Sequence, residues 1–128
     1  MDTVKPRVLL ADDESHIRSL MKAVIKTLGY DVIAEAVNGS EAVDLCVKEK
    51  PDLLLMDINM PVKTGIEALK EIVSLCPKTC VIMLSSVSDM ESVQEAIEAG
   101  ATHFIRKDTP ITEMKTIITE AWDDYKSS

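Results

Sequence analysis

Three features of this 128-residue chain predict an α/β fold, a doubly wound parallel sheet of five strands with helices on both faces. Short apolar runs alternate five times with segments whose apolar residues recur at helical spacing. The run Leu53-Leu54-Leu55-Met56 is apolar without alternation, the pattern of a strand covered on both faces. No structureless linker or low-complexity tract interrupts the series, so one domain over residues 1–128 is expected.

Val8-Leu9-Leu10-Ala11 forms the first strand and ends in Asp12-Asp13-Glu14; Ile17, Leu20, Met21, Val24, Ile25 and Leu28 then mark a helix closed by Gly29. Val32 to Ala36 is the second strand. Ala42, Val43, Cys46 and Val47 place a helix between the turn residues Asn38-Gly39-Ser40 and Pro51. After the third strand, Ile66, Leu69, Ile72 and Val73 give a helix stopped by Pro77, and Val81-Ile82-Met83-Leu84 is the fourth strand, followed by Ser85 and Ser86. Ser88 with Glu91 three residues on is a capping-box pattern for a helix through Val93, Ala96 and Ile97, with Gly100 as its stop. His103 to Arg106 is the fifth strand. Thr109 is placed to cap the last helix with Pro110 at its first position, and Ile111, Met114, Ile117, Ile118, Ala121, Trp122 and Tyr125 form its buried stripe.

The formal charge of -8 argues against direct contact with nucleic acid, which requires a cationic surface to displace counterions. No run approaches the roughly 18 apolar residues of a membrane span, and Lys5-Pro6 leads into a strand without a signal-peptide profile, so a cytoplasmic location is expected. Cys46, Cys76 and Cys80 have no metal-ligand spacing from His16 or His103. They read as core filler in a reducing compartment rather than as a zinc site or redox pair.

The functional signal is where polar residues stand relative to the strands. Asp12, Asp13, Asp57, Ser85 and Lys107 each lie at or just past the end of an apolar run, and in an open α/β sheet those ends share one edge where ligands bind. Asp13 or Glu14 alone would be read as helix caps. Asp57 differs, because Ile58-Asn59-Met60-Pro61 follows it and no helix begins there to be capped. Carboxylates crowded at low dielectric raise one another's pKa or require a cation. Magnesium fits: it takes oxygen ligands and bridges one or two carboxylates to a phosphoryl group. With a hydroxyl at Ser85 and a point charge at Lys107, the set describes phosphoryl transfer to a carboxylate.

These residues stand in four motifs. They are Leu10-Ala11-Asp12-Asp13-Glu14, Leu55-Met56-Asp57-Ile58-Asn59-Met60-Pro61 with Gly65, Leu84-Ser85-Ser86, and Ala99-Gly100-Ala101 through Phe104 to Lys107. In this order and spacing, from Arg7 to about Tyr125, the chain resembles the response-regulator receiver domain, especially the single-domain chemotaxis type; a chemotaxis receiver is a worked example of the flavodoxin-like strand order 2-1-3-4-5. The resemblance implies that Asp57 accepts a phosphoryl group from a phosphohistidine on a histidine kinase. It implies that Asp13, Asp57 and the backbone carbonyl of Asn59 hold magnesium, with Asp12 acting through water. Lys107 and the Ser85 hydroxyl would bind the phosphoryl group, and Ser85 and Phe104 would switch together. As the only Phe, Phe104 also fits ordinary core packing. Asn59 and Val87, two residues after the acceptor and the hydroxyl, would flank the attacking water and tune dephosphorylation. A receiver of this kind turns over no external substrate.

The family lysine is commonly followed by proline, often through a cis bond, whereas Asp108 follows Lys107 here and a trans bond is expected. Three other readings compete. An Asp-nucleophile phosphatase wants a second Asp two residues after the first, where this chain has Asn59; a flavodoxin would offer phosphate donors, not three acids, after the first strand. The third is the receiver half of a longer transcriptional regulator, since Lys followed by Asp resembles receivers fused to DNA-binding outputs. As the chain ends just after the last helix, output through a downstream target protein is expected.

Overall fold

The computed structural model describes residues 5–86 and 90–126. The elements alternate as expected: β1 (Arg7–Ala11), α1 (Ser15–Thr27), β2 (Asp31–Ala36), α2 (Gly39–Glu49), β3 (Leu53–Asp57), α3 (Gly65–Leu75), β4 (Cys80–Ser85), α4 (Met90–Ala99), β5 (His103–Arg106) and α5 (Ile111–Lys126). All pairings are parallel, in the order β2-β1-β3-β4-β5, so this is the flavodoxin-like sheet. The order reverses beside β1, and the crevice between the carboxyl ends of β1 and β3 is the topological switch point.

The sheet separates two cores. Leu9, Leu54, Met56, Val81 and Met83 face α2, α3 and α4, while Val8, Leu10, Leu53, Leu55, Ile82 and Leu84 face α1 and α5. β3 and β4 are buried along their whole length, which is why both read as continuous apolar runs. Cys46, Cys76 and Cys80 are buried free thiols, as filler should be. Burial pushes Cys46 up to about 12 and Cys80 up to about 11, which keeps both protonated.

Local signals place most of the helix ends. Gly29 takes the left-handed conformation with φ +78° after α1. The Asn38 side chain accepts from the Glu41 N–H at 2.8 Å to open α2, and Thr64 with Glu67 forms a capping box on α3. Pro110 stands one residue earlier than expected. It precedes α5, and its carbonyl accepts from the N–H groups of Glu113 and Met114 at 3.0 Å. Ile111 is exposed rather than part of the buried stripe, because that stripe begins one turn later at Met114. Val47, Val73 and Ile97 also lie outside the core, at the margins of their helices' apolar faces. The Ser88 cap and Val87 lie outside the described residues.

The loop from β3 to α3 is held tightly against the sheet. Ile58 and Met60 are buried, Gly65 donates its N–H to the Ile58 carbonyl at 2.7 Å, and Gly39 donates to the Lys63 carbonyl at 3.0 Å. A Cβ on Gly65 would collide with the backbone oxygen of Asp57. Only glycine therefore lets α3 start this close to the strand end that carries the acidic site. Gly65→Ala is expected to force that backbone apart and lower stability by about 1–3 kcal/mol, the usual range for overpacking. Urea unfolding checks this, and a stability equal to the parent's would show that the contact yields without strain.

Candidate functional site

Each candidate side chain is fixed by a final rung of sheet pairing. The Asp12 N–H bonds the Ala36 carbonyl at 3.0 Å, the Ile58 N–H after Asp57 bonds the Leu84 carbonyl at 3.0 Å, and the Lys107 N–H bonds the Ser85 carbonyl at 2.8 Å. Asp57 ends β3 opposite Leu84, and Ser85 ends β4 opposite Arg106. Arg18 steadies the loop after β1, giving Nη1 to the Asp12 carbonyl at 2.8 Å while its Nε pairs with Glu35 at 3.1 Å.

The five residues singled out from sequence do converge at this edge, though not equivalently. Asp13, Glu14, Ile17, Asp57, Asn59, Ser86 and Lys107 line an open cleft of about 480 Å³. Asp12 and Asp57 are buried, Asp13 is exposed, and one carboxylate oxygen from each of Asp12, Asp13, Glu14 and Asp57 lies within 4.8 Å of the others. Lys107 Nζ reaches three of them: Glu14 Oε1 at 2.7 Å, Asp12 Oδ2 at 3.1 Å and Asp57 Oδ2 at 3.1 Å. Ser85 is completely buried, its Oγ has no hydrogen-bond partner among the described residues, and Ser86, not Ser85, lines the cleft. Asn59 lines the cleft as well, and its N–H meets Asp57 Oδ1 at 3.3 Å. Phe104 is half-buried against the α2–α4 core, opposite Met83 in the ladder.

Glu14 is the participant that sequence reasoning passed over as a cap. It does occupy the N-cap position of α1, yet its side chain makes no capping bond and goes to Lys107 instead. The signal was available in the third consecutive acid after β1, since a residue one place beyond Asp13 can still reach the shared edge. On the other side of the site, Asp108 is held by Arg106 through two bonds, at 3.1 and 2.8 Å, and there is no cis peptide among the described residues. The loop carrying Lys107 is thus built without the family's proline.

Electrostatics make the site ready for a cation. Burial, then the neighbouring Asp12 charge, push Asp57 up to about 6, and burial likewise raises Asp12. Burial disfavours the Lys107 ammonium, but the Glu14 hydrogen bond and the Asp57 and Asp12 charges outweigh it and hold the lysine charged. One ammonium serves three carboxylates. Asp12 Oδ2 is buried with Lys107 Nζ as its charged neighbour at 3.1 Å, and among the described residues no well-formed hydrogen bond reaches it. A buried carboxylate oxygen left in that state, in an oxygen-only set of donors, suits a hard divalent ion.

Residues 8–119 match the response regulator receiver domain family. The chemotaxis protein CheY of Thermotoga maritima is 45% identical over 101 residues, which span 79% of this chain and 84% of that protein. The transcriptional regulatory protein PdtaR of Mycobacterium tuberculosis is 37% identical over 113 residues, 87% of this chain and 54% of that protein. The response regulator domain of Thermotoga maritima CheB superposes with a TM-score of 0.85 at 32% identity, with 98% of both chains covered.

The raised Asp57 pKa makes metal-free stability depend on pH. Folded Asp57 keeps its proton to about pH 6, whereas its ordinary value is 3.8, so between these values the folded state binds more protons than the unfolded. The resulting stability is complete below the unfolded value and is lost as pH rises through about 6. Asp57→Asn, which cannot ionise, should therefore exceed the parent by about 1–3 kcal/mol at pH 7.5 in chelator, with the gap closing near pH 4. Urea titrations at the two pH values check it, and an equal gap at both would remove Asp57 ionisation as the cause.

Proposed function

The chain belongs to the response regulator receiver family of two-component signalling, and from that premise we propose that it is a switch turned on by phosphorylation of Asp57. The observation that carries this reading is Asp57 itself, buried at a strand end with the Lys107 ammonium 3.1 Å from Oδ2. A carboxylate oxygen of Asp57 attacks the phosphorus of a phosphohistidine on a histidine kinase, the bond to the histidine nitrogen breaks, and the electron pair leaves with the imidazole. Lys107 neutralises charge on the transferring group, and the Ser85 hydroxyl supplies a donor that has no other partner.

Magnesium would be held by Asp13, Asp57 and the backbone carbonyl of Asn59, with Asp12 through water, and would supply electrostatic stabilisation of the phosphoryl oxygens. The donor set fits the ion: Asp12, Asp13 and Asp57 offer carboxylate oxygens within 4.8 Å of one another, two of them from buried residues. Asn59 and Val87 would flank the water that hydrolyses the phosphoryl group. Family members are signalling proteins rather than substrate-turnover enzymes, so the phosphorylated form would act by binding a target protein, with Phe104 moving together with Ser85. Among the described residues no helix is long and apolar enough to cross a membrane, in keeping with work in the cytoplasm.

A second reading, in which the receiver controls an attached transcriptional output, is favoured by the likeness to PdtaR, of which the match spans 54%. Both readings share the chemistry at Asp57.

Acetyl phosphate with magnesium is expected to add one phosphate by intact mass, and Asp57→Asn to abolish it; an undiminished yield in the variant would overturn the acceptor assignment. Magnesium alone should raise the melting temperature of the parent. Binding to the folded state only is worth about 2.7 kcal/mol at a hundredfold excess over the dissociation constant. Asp13→Ala should lose that response while its metal-free stability stays at or above the parent's, and a much less stable metal-free variant would assign Asp13 a structural role instead.

A further inference from the structure

Lys107 has three N–H donors and no acceptor, and in this structure three carboxylates stand around it. Any phosphoryl group that reaches Asp57 brings oxygens that compete for the same ammonium, and of its three contacts the one to Glu14 is the formed hydrogen bond that holds it. Asp12 and Asp57 are buried and cannot turn to water, whereas the Glu14 side chain is 46% exposed at the rim. Glu14 also holds the shortest of the three contacts, 2.7 Å.

The Glu14 backbone is fixed independently of that contact. Its N–H goes to Asp12 Oδ1 at 2.8 Å, and its carbonyl accepts from Ile17 and Arg18 at 3.1 Å. Its side chain makes no cap, and its second oxygen, Oε2, faces only the exposed His16 at 4.0 Å. The carboxylate can therefore swing away without disturbing α1.

We infer that Glu14 is a positioning residue that parks Lys107 in the resting state and competes with the incoming phosphoryl group for it, setting how fast Asp57 is phosphorylated. The inference rests on Asp57 being the acceptor. The affected step is attack of an Asp57 carboxylate oxygen on phosphorus: for acetyl phosphate the new bond is that oxygen to phosphorus, the acyl oxygen–phosphorus bond breaks, and acetate leaves with the electron pair. Release of Lys107 by Glu14 precedes or accompanies this step. A carboxylate at the rim also repels the donor anion, and both effects act in the same direction. Because the contact is partly exposed, the effect is modest and screened by salt.

The test is the second-order rate constant for phosphorylation by acetyl phosphate with magnesium, followed by intact mass. Glu14→Gln, which keeps the shape but weakens the bond to Lys107, should react about two- to fivefold faster than the parent, with the gain shrinking in 0.5 M salt. Glu14→Asp keeps the charge but is one methylene too short to hold the contact, so it too should exceed the parent. Asp44→Asn, which removes an exposed charge on α2, should stay at the parent's rate and shows what net charge alone does. The magnesium-induced rise in melting temperature should be the same in all four proteins, since Glu14 acts through the lysine. A Glu14→Gln rate at or below the parent's overturns the inference, as does an equal gain in Asp44→Asn. A Glu14→Asp rate equal to the parent's would also overturn it, leaving only repulsion of the donor. If neither the parent nor any variant takes up phosphate, the acceptor assignment itself fails.

Discussion

The rest of this structure is arranged around one electrostatic constraint, two buried carboxylates and a half-exposed third sharing the single ammonium of Lys107. Charges of like sign at this spacing and burial repel strongly, and the fold answers by fixing their backbones rather than by separating them. The final ladder rungs after β1, β3 and β5 leave Asp12, Asp57 and Lys107 no freedom to drift apart. Gly65 lets α3 and its loop close over the end of β3, and Arg18 ties down the turn after β1. Rigidity here keeps the repulsion in place, and a cation bound as proposed would relieve it.

That arrangement also shows how so acidic a chain could act on an anionic group, as the proposed function requires. The net charge of -8 would repel a phosphoryl donor at long range. At short range the sign of the field would depend on Lys107 and on a cation held by Asp12, Asp13 and Asp57, so anion binding would be local and conditional. Selectivity follows from this, because only a group that meets the lysine and the cation together finds a favourable potential.

Much of this was legible in the sequence because buried parallel strands announce themselves as apolar runs, and the polar residues that end them stand out. His103 to Arg106 is a strand with the bounds the pattern gave, the apolar run Leu53 to Met56 is a strand that extends one residue further to Asp57, and Gly29, Asn38 and Gly100 mark helix ends through local backbone chemistry. What periodicity could not show was side-chain direction at the rim. Glu14 reads as a cap by position and becomes a lysine partner only because the end of β5, 93 residues away in sequence, comes to lie beside it. Ile111 shares the period of the α5 stripe but lies one turn before the helix meets the sheet, and Pro110 shifted by one residue because a helix start is set by backbone bonds. Val62 gave no signal either: a β-branched residue at φ +69° and exposed, it has a conformation that neither its propensity nor its burial favours, and the tight loop around it imposes that conformation.

On the proposed reading, the buried Ser85 hydroxyl would link the site to a change of state. An unpaired buried polar group costs about 1–3 kcal/mol, and a charge-assisted hydrogen bond contributes about 1.5–3 kcal/mol. Moving a two-state equilibrium from 1:99 to 99:1 takes about 5.5 kcal/mol of differential affinity. A phosphoryl group that satisfied Ser85 would supply part of that difference, whereas its contact with Lys107 would in part replace the one to Glu14. Phe104 is half-buried beside Met83 on the strand next to β4. In that reading, the energy of the switch would come in part from the Ser85 hydroxyl, which the resting site leaves without a hydrogen bond among the described residues.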